Sequence, residues 1–126
     1  HPIPVISLKR GGGPVVLIVG GTHGDEFEGP AAIMRLINLL DPSMLNGQII
    51  AMPGLNAPAF QSSERVSPLD GVNLNRAFPG DPDGGPTAML AHFVETEILP
   101  LCDAVIDLHS GGKASVFATC ALATRA

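Results

Sequence analysis

Val15-Val16-Leu17-Ile18-Val19-Gly20-Gly21-Thr22-His23-Gly24-Asp25-Glu26 is the stretch that decides how this chain reads. Its five apolar residues read as a buried strand, and Gly20-Gly21-Thr22 breaks that strand into a loop. On such a loop His23 and Glu26, three residues apart, can both turn toward one cation. A second apolar run, Asp103-Ala104-Val105-Ile106-Asp107-Leu108, ends in His109-Ser110-Gly111-Gly112. Two strand ends thus each deliver a candidate ligand at the C-terminal tip, the edge where open α/β sheets bind ligands. Two histidines and one carboxylate, with a fourth position left to water, form the ligand set of a hydrolytic zinc site. A blander reading makes Glu26 a helix cap and His23 a surface histidine. His109, at an equivalent strand end, favours the metal: one Zn2+ per chain, held by His23, Glu26 and His109.

Working outward, residues 3–8 read as a first strand and Lys9 to Gly13 as a glycine turn; residues 14–20 are the second strand. Glu28 to Leu40 follows a helical period, with Ile33, Leu36, Ile37 and Leu40 on one face. Asp25, Glu26 and Glu28 suit its N-terminus, and Asp41-Pro42 ends it. Asn46-Gly47 turns into a third strand over 48–52, which Pro53-Gly54 stops. Residues 55–85 show little regular pattern, and a loop of that length in a compact domain is usually functional or disordered. A second helix runs from Pro86 to Pro100, with Met89, Leu90, Phe93 and Val94 as its apolar stripe. Residues 103–108 form a fourth strand and 115–122 a fifth. Alternating strands and helices predict an α/β fold with a mostly parallel or mixed sheet flanked by helices.

Asp107 lies two residues before His109, so a strand points both to one face. There it can orient the ligand histidine from behind. Asn75 and Arg76, in Asn73-Leu74-Asn75-Arg76, offer amide and guanidinium donors that match a substrate carboxylate. Arg65 supplies a further cation for a polarised carbonyl, or is a solvated surface side chain. His92 sits among apolar neighbours without a partner at ligand spacing and reads as structural.

The chain has 126 residues, 45% of them hydrophobic, with five Phe, no Trp and no Tyr. That length suits one domain with a mainly aliphatic core. A formal charge of −5 and the lack of any Lys/Arg cluster argue against a nucleic-acid partner. No apolar run reaches the roughly 20 residues a membrane helix needs, and the N-terminus lacks the regions of a signal peptide. Cys102 and Cys120 are no disulfide framework, and buried free thiols in a reducing cytoplasm are the simpler reading. Homo-oligomerisation stays open.

Gly21-Thr22-His23-Gly24-Asp25-Glu26, Asn73-Leu74-Asn75-Arg76 and Asp107-Leu108-His109-Ser110-Gly111-Gly112, in that order, resemble the succinylglutamate desuccinylase/aspartoacylase family of zinc carboxypeptidase-like hydrolases. Ser67 to Gly80 is most similar to the bacterial branch of N-acetyl-diaminobutyrate deacetylases. The resemblance implies zinc on His23, Glu26 and His109, and a substrate carboxylate on Asn75 and Arg76. It also implies a carbonyl-polarising Arg65, and Asn73 standing where the family often has an acid behind the first histidine. The implied reaction is hydrolysis of the amide bond of a small-molecule N-acyl amino acid. The family's general-base glutamate comes from a strand beyond the last residue here, and no Glu follows Glu97. The expectation is therefore that residues 1–126 form the N-terminal portion of such a catalytic domain. Two alternatives stand beside it. One is a zinc-binding but catalytically incomplete scaffold. The other is a nucleotide-binding module built on Gly20-Gly21, disfavoured by the absence of a phosphate-loop motif.

Overall fold

A computed structural model describes residues 2–124; His1, to which the sequence gives no role, lies outside them with Arg125 and Ala126. Four strands, β1 (Ile6–Arg10), β2 (Val15–Gly20), β3 (Gly47–Met52) and β4 (Ala104–Leu108), form one sheet in the order β1-β3-β2-β4. β2 is parallel to β3 on one side and to β4 on the other, while β1 runs antiparallel along the far edge of β3. The helices are α1 (Glu28–Leu39), α2 (Ala57–Ser62) and α3 (Pro86–Phe93). The architecture is the expected mixed α/β sheet flanked by helices.

The unbroken apolar run of β2 follows from burial on both faces. Leu17 and Val19 pack with Ile50, Met52, Leu55, Leu74, Ala91 and Val94 on the side of the long loop and α3. Ile18, pointing the other way, packs with Ala51 and with Ile33 of α1. The chain leaves β2 through α1 to reach β3 on one side, and β4 later docks on the other. Strand order therefore reverses at β2, and its C-terminal end opens into the crevice where such sheets bind ligands.

Several expectations are corrected. β1 starts at Ile6, because its ladder with β3 runs from Ile6 opposite Ala51 to Arg10 opposite Gly47. Pro4 has no N–H to offer a ladder and lies outside it; Lys9 and Arg10 belong to the strand and the turn shortens to residues 11–13. The segment 55–85 is more ordered than its composition suggests. Asn56 caps α2 through the Ala59 N–H at 3.5 Å, and Leu74–Arg76 forms a 3-10 turn whose Asn75 N–H is taken by the Asn73 side chain. The second helix is regular only to Phe93, continues as a wider π turn over Val94–Ile98, and closes in a 3-10 turn at Leu99–Leu101. Its buried stripe is Thr87, Ala91 and Val94, whereas Met89 and Phe93 are exposed. Leu36 of α1 is exposed as well.

The fifth strand does not form. The Ser115 N–H closes a turn on the Gly111 carbonyl, and residues 115–124 run on without a partner strand, exposed. Strand-forming side chains alone do not make a strand without a ladder to join. β4 is thus an edge strand, with Val105 and Ile106 each about half exposed. Cys102 and Cys120 are both unpaired, and Cys120 is exposed rather than buried. Among the described residues, no helix is long and apolar enough to cross a membrane.

Candidate metal centre

The loop after β2 is short and tightly held. Leu55 and Asn56 donate their N–H groups to the carbonyls of Gly20 and Gly21, so the start of α2 is tied under the loop. A Cβ on Gly24 would fall 2.0 Å from the backbone of Ala59, so only glycine lets the loop lie this close to α2. His23 and Glu26 are consequently buried, at 3% and 2% exposure. β4 runs in register with β2, Leu108 opposite Gly20, and this brings His109 over the same crevice.

All three expected ligands converge. One ligand atom from each of His23, Glu26 and His109 lies within 4.8 Å of the others. His23 Nδ1 is 2.9 Å from Glu26 Oε1, and His109 Nδ1 is 2.9 Å from Glu26 Oε2. The two imidazole rings stand 5.1 Å apart at a 51° tilt. The opposite ring nitrogens are already engaged. His23 Nε2 is 3.1 Å from Asn73 Oδ1, which also accepts the Asn75 N–H and is therefore an oxygen. His109 Nε2 is 2.8 Å from Asp107 Oδ2.

This arrangement fits a cation. With both Nε2 atoms donating to Asn73 and Asp107, each Nδ1 faces a carboxylate oxygen. It must either carry a second proton or lend its lone pair to a positive ion between them. Two imidazole nitrogens and a carboxylate are zinc-type donors, and the acceptors behind both rings are what fixes a metal-binding tautomer. In the absence of metal, the protonated form is favoured at His109. The Asp107 hydrogen bond raises its pKa to about 9, against opposing desolvation, with further help from the Asp107 charge and from Glu26.

The other expected site residues stand at different distances from this cluster. Arg65 donates from Nη1 to Glu26 Oε1 at 3.1 Å, so it contacts the central carboxylate while half of its side chain remains in solvent. Asn75 lines a small, mostly apolar cavity of about 140 Å³ together with Thr22, Phe78, Val105 and Asp107. Arg76 is exposed and donates to the Asn75 carbonyl at 3.0 Å; among the described residues it has no acidic partner. His92 takes no part in the centre: its carbonyl accepts the Thr96 hydroxyl within the helix.

Two contributors, Thr22 and Ser110, escaped the sequence reading, and Asp25 entered it only as an acid before the helix. Thr22 donates its hydroxyl to Asp107 Oδ1 at 3.3 Å. Ser110 gives its N–H to Glu26 Oε2 at 3.0 Å and its hydroxyl to Glu28. Asp25 accepts the Lys113 N–H at 3.3 Å. Asp25, Glu26 and Glu28 thus anchor the loop after β4, while Glu28 also stands in the first turn of α1, where an acid was expected and no side-chain cap is made. Only the adjacency of Thr22 and Ser110 to the two histidines could have flagged them.

Comparisons with known proteins give the chain a family. The profile of the succinylglutamate desuccinylase/aspartoacylase catalytic domain matches residues 12–126. The N-alpha-acetyl-L-2,4-diaminobutyric acid deacetylase of Halomonas elongata is 48% identical over 111 residues, which cover 88% of this chain and 32% of that protein. A succinylglutamate desuccinylase/aspartoacylase from Rhodobacter sphaeroides superposes with a TM-score of 0.83 at 49% identity, over 87% of this chain and 34% of that one. The product-bound ectoine utilization protein EutE (DoeB) from Ruegeria pomeroyi gives a TM-score of 0.83 at 43% identity, over 86% and 33%. The chain therefore spans about a third of the length of these relatives. With residues 12–126 matching a catalytic-domain profile, the chain belongs to the succinylglutamate desuccinylase/aspartoacylase family.

Proposed function

We propose that residues 1–126 are the metal-binding, N-terminal portion of a zinc-dependent hydrolase that cleaves the amide bond of an N-acyl amino acid. The observation that carries this reading is the convergence of His23 Nδ1 and His109 Nδ1 on the two oxygens of a buried Glu26. Zinc held by these three residues supplies Lewis acidity, polarising a carbonyl and bringing the pKa of water toward neutrality. Asn73 and Asp107 hold the two rings so that each Nδ1 faces inward.

Asn75 and Arg76 bind the carboxylate of the amino acid, Arg76 through a guanidinium with no competing acid in the described structure. Arg65 lies at the rim of the centre and directs its positive charge at the carbonyl oxygen of the scissile amide, where negative charge develops. Transfer of the water's proton to the leaving amine needs a general base. The family resemblance assigns this to a glutamate on a strand beyond residue 126. The likeness to a diaminobutyrate deacetylase makes N-acetyl-2,4-diaminobutyrate the first substrate to try. The two unpaired cysteines suit a cytoplasmic setting.

Two measurements test the proposal together. Elemental analysis of untagged protein should give close to one zinc per chain, and a ratio near zero refutes the metal centre. Release of acetate from N-acetyl-2,4-diaminobutyrate by this polypeptide would refute the incomplete-scaffold reading. Zinc binding without turnover would support it.

A further inference from the structure

His109 reaches the centre from the start of a loop with no regular structure, so something must fix where that loop lies. The loop closes as a tight turn, with Ser115 N–H on the Gly111 carbonyl and Gly112 at φ +57°. Asp25 packs against Gly112, where a Cβ would fall 2.4 Å from Asp25 Oδ2, and accepts the Lys113 N–H. Between His109 and this turn stands Ser110, which touches two acids of the segment before and at the start of α1. Its N–H donates to Glu26 Oε2 at 3.0 Å, the same oxygen that faces His109 Nδ1. Its hydroxyl donates to Glu28 Oε2, two residues along the chain from Glu26.

We infer that Ser110 is a positioning residue for the metal centre: through its hydroxyl bond to Glu28 it holds its own N–H on Glu26 and so fixes the carboxylate and His109 relative to each other. The inference rests on the metal-centre reading above. Glu26 Oε1 is already fixed by Arg65 near His23, so Oε2 is the oxygen whose orientation depends on the loop after β4. A hydroxyl alone makes the Glu28 contact; alanine at 110 keeps the backbone donor but releases the loop that aims it. Glu28 gains from the same contact, since the Ser110 hydroxyl bond lowers its pKa, together with its own backbone N–H.

The test is zinc affinity of the metal-stripped 126-residue chain, read by competition with a chromogenic chelator, with the apo melting temperature measured alongside. Ser110→Ala should weaken zinc binding by roughly 10-fold or more, the range typical of partners that orient metal ligands. Ser110→Thr, which keeps the hydroxyl, should bind within about 3-fold of the parent. Glu28→Ala should match Ser110→Ala, and the double variant should lose little more, because both break one bridge. Parent-like affinity in Ser110→Ala, with zinc abolished in His109→Ala, overturns the positioning role and leaves the metal centre standing. Retained zinc in His109→Ala overturns the centre itself. Should Ser110→Ala also lower the apo melting temperature, Glu28→Ala carries the test, and unchanged affinity there overturns the inference.

Discussion

Glu26, at the foot of α1, holds Oε2 2.9 Å from Nδ1 of His109, 83 positions later in the chain. Everything chemical in the molecule is organised around that contact, because the same carboxylate also meets His23, Arg65 and the Ser110 N–H. A buried carboxylate with partners on both oxygens is stable only while those partners remain. Glu26→Gln is expected to keep the fold but bring zinc from about one per chain to near none, since a neutral amide is a poor ligand for zinc. Elemental analysis after dialysis checks it, and full zinc occupancy in the variant would remove Glu26 from the ligand set.

The Asn73 oxygen already takes the Asn75 N–H while facing His23 Nε2. Asn73→Ala should weaken zinc roughly 10- to 100-fold, the usual effect of losing a ligand's supporting acceptor. Asn73→Asp should bind zinc at least as tightly as the parent, because a carboxylate raises the basicity of the imidazole it supports. Chelator competition on both variants decides the matter; equal affinity in Asn73→Ala and the parent would make the contact incidental.

Gly24→Ala tests the loop geometry without touching a ligand. The added Cβ would meet the Ala59 backbone at 2.0 Å, which cannot yield as a flexible side chain would. Either the loop or α2 must move, at an expected cost of about 1–3 kcal/mol. Thermal melting should show the loss, and zinc affinity should fall with it. A variant as stable as the parent would mean that the loop rests on α2 far more loosely than the contact implies.

How much of this was legible in the sequence follows from what each signal depends on. β2 is an uninterrupted apolar run before a glycine break, as burial on both faces demands, whereas β3 carries Gln48 and the edge strand β4 carries Asp107, and both are legible because the rest of each run is apolar. The candidate ligands were legible because His23, Glu26 and His109 follow the ends of β2 and β4. α2 was hidden because six residues carry no helical period, and only Asn56 and Pro58 mark its start. Glu28 stands in the first turn of α1 as expected, but the second task of Asp25 and Glu28 was hidden, because it shows only once the loop after β4 is placed against them. The exposure of Met89 and Phe93 was equally invisible, because apolar spacing names a helix face but not the neighbour that covers it. Residues 115–122 have strand-like side chains, yet strand formation needs a partner and sequence pattern alone supplies none.

Asp70 gives the molecule a pH-dependent brace. α3 starts at an N-cap glycine with no side chain, and Asp70 supplies the missing acceptors from 17 residues upstream, taking the Thr87 N–H and hydroxyl at 2.8 Å each. Partial burial pushes its pKa up, but the Thr87, Val72 and Ser67 hydrogen bonds together outweigh that and leave it below the ordinary 3.8. A carboxyl whose folded pKa is depressed contributes stability above its unfolded value and loses it as pH falls through the folded one. Asp70→Ala should therefore cost about 1 kcal/mol near neutral pH, comparable to losing a helix cap. The gap in melting temperature between parent and variant should stay constant down to about pH 4 and close below it. A gap that persists undiminished at pH 2 would show that Asp70 acts through packing rather than charge.

Arg76 and Arg65 carry opposite expectations that one binding experiment separates. Arg76 leaves its guanidinium without an acidic partner in the described structure, whereas Arg65 is already bonded to Glu26 at 3.1 Å. A free carboxylate arriving at the centre should therefore be taken by Arg76, and a charge-assisted bond of that kind is worth about 1.5–3 kcal/mol. Loss of Arg76 to alanine should weaken binding of N-acetyl-2,4-diaminobutyrate to the zinc-loaded chain roughly 10- to 100-fold. Arg65→Ala should change that affinity much less but reduce zinc retention, since it removes a donor that steadies Glu26. Calorimetric titration of both variants reads the two effects side by side. If Arg65→Ala abolishes ligand binding while Arg76→Ala leaves it intact, the carboxylate is held by Arg65, and the assignment of the two arginines must be exchanged.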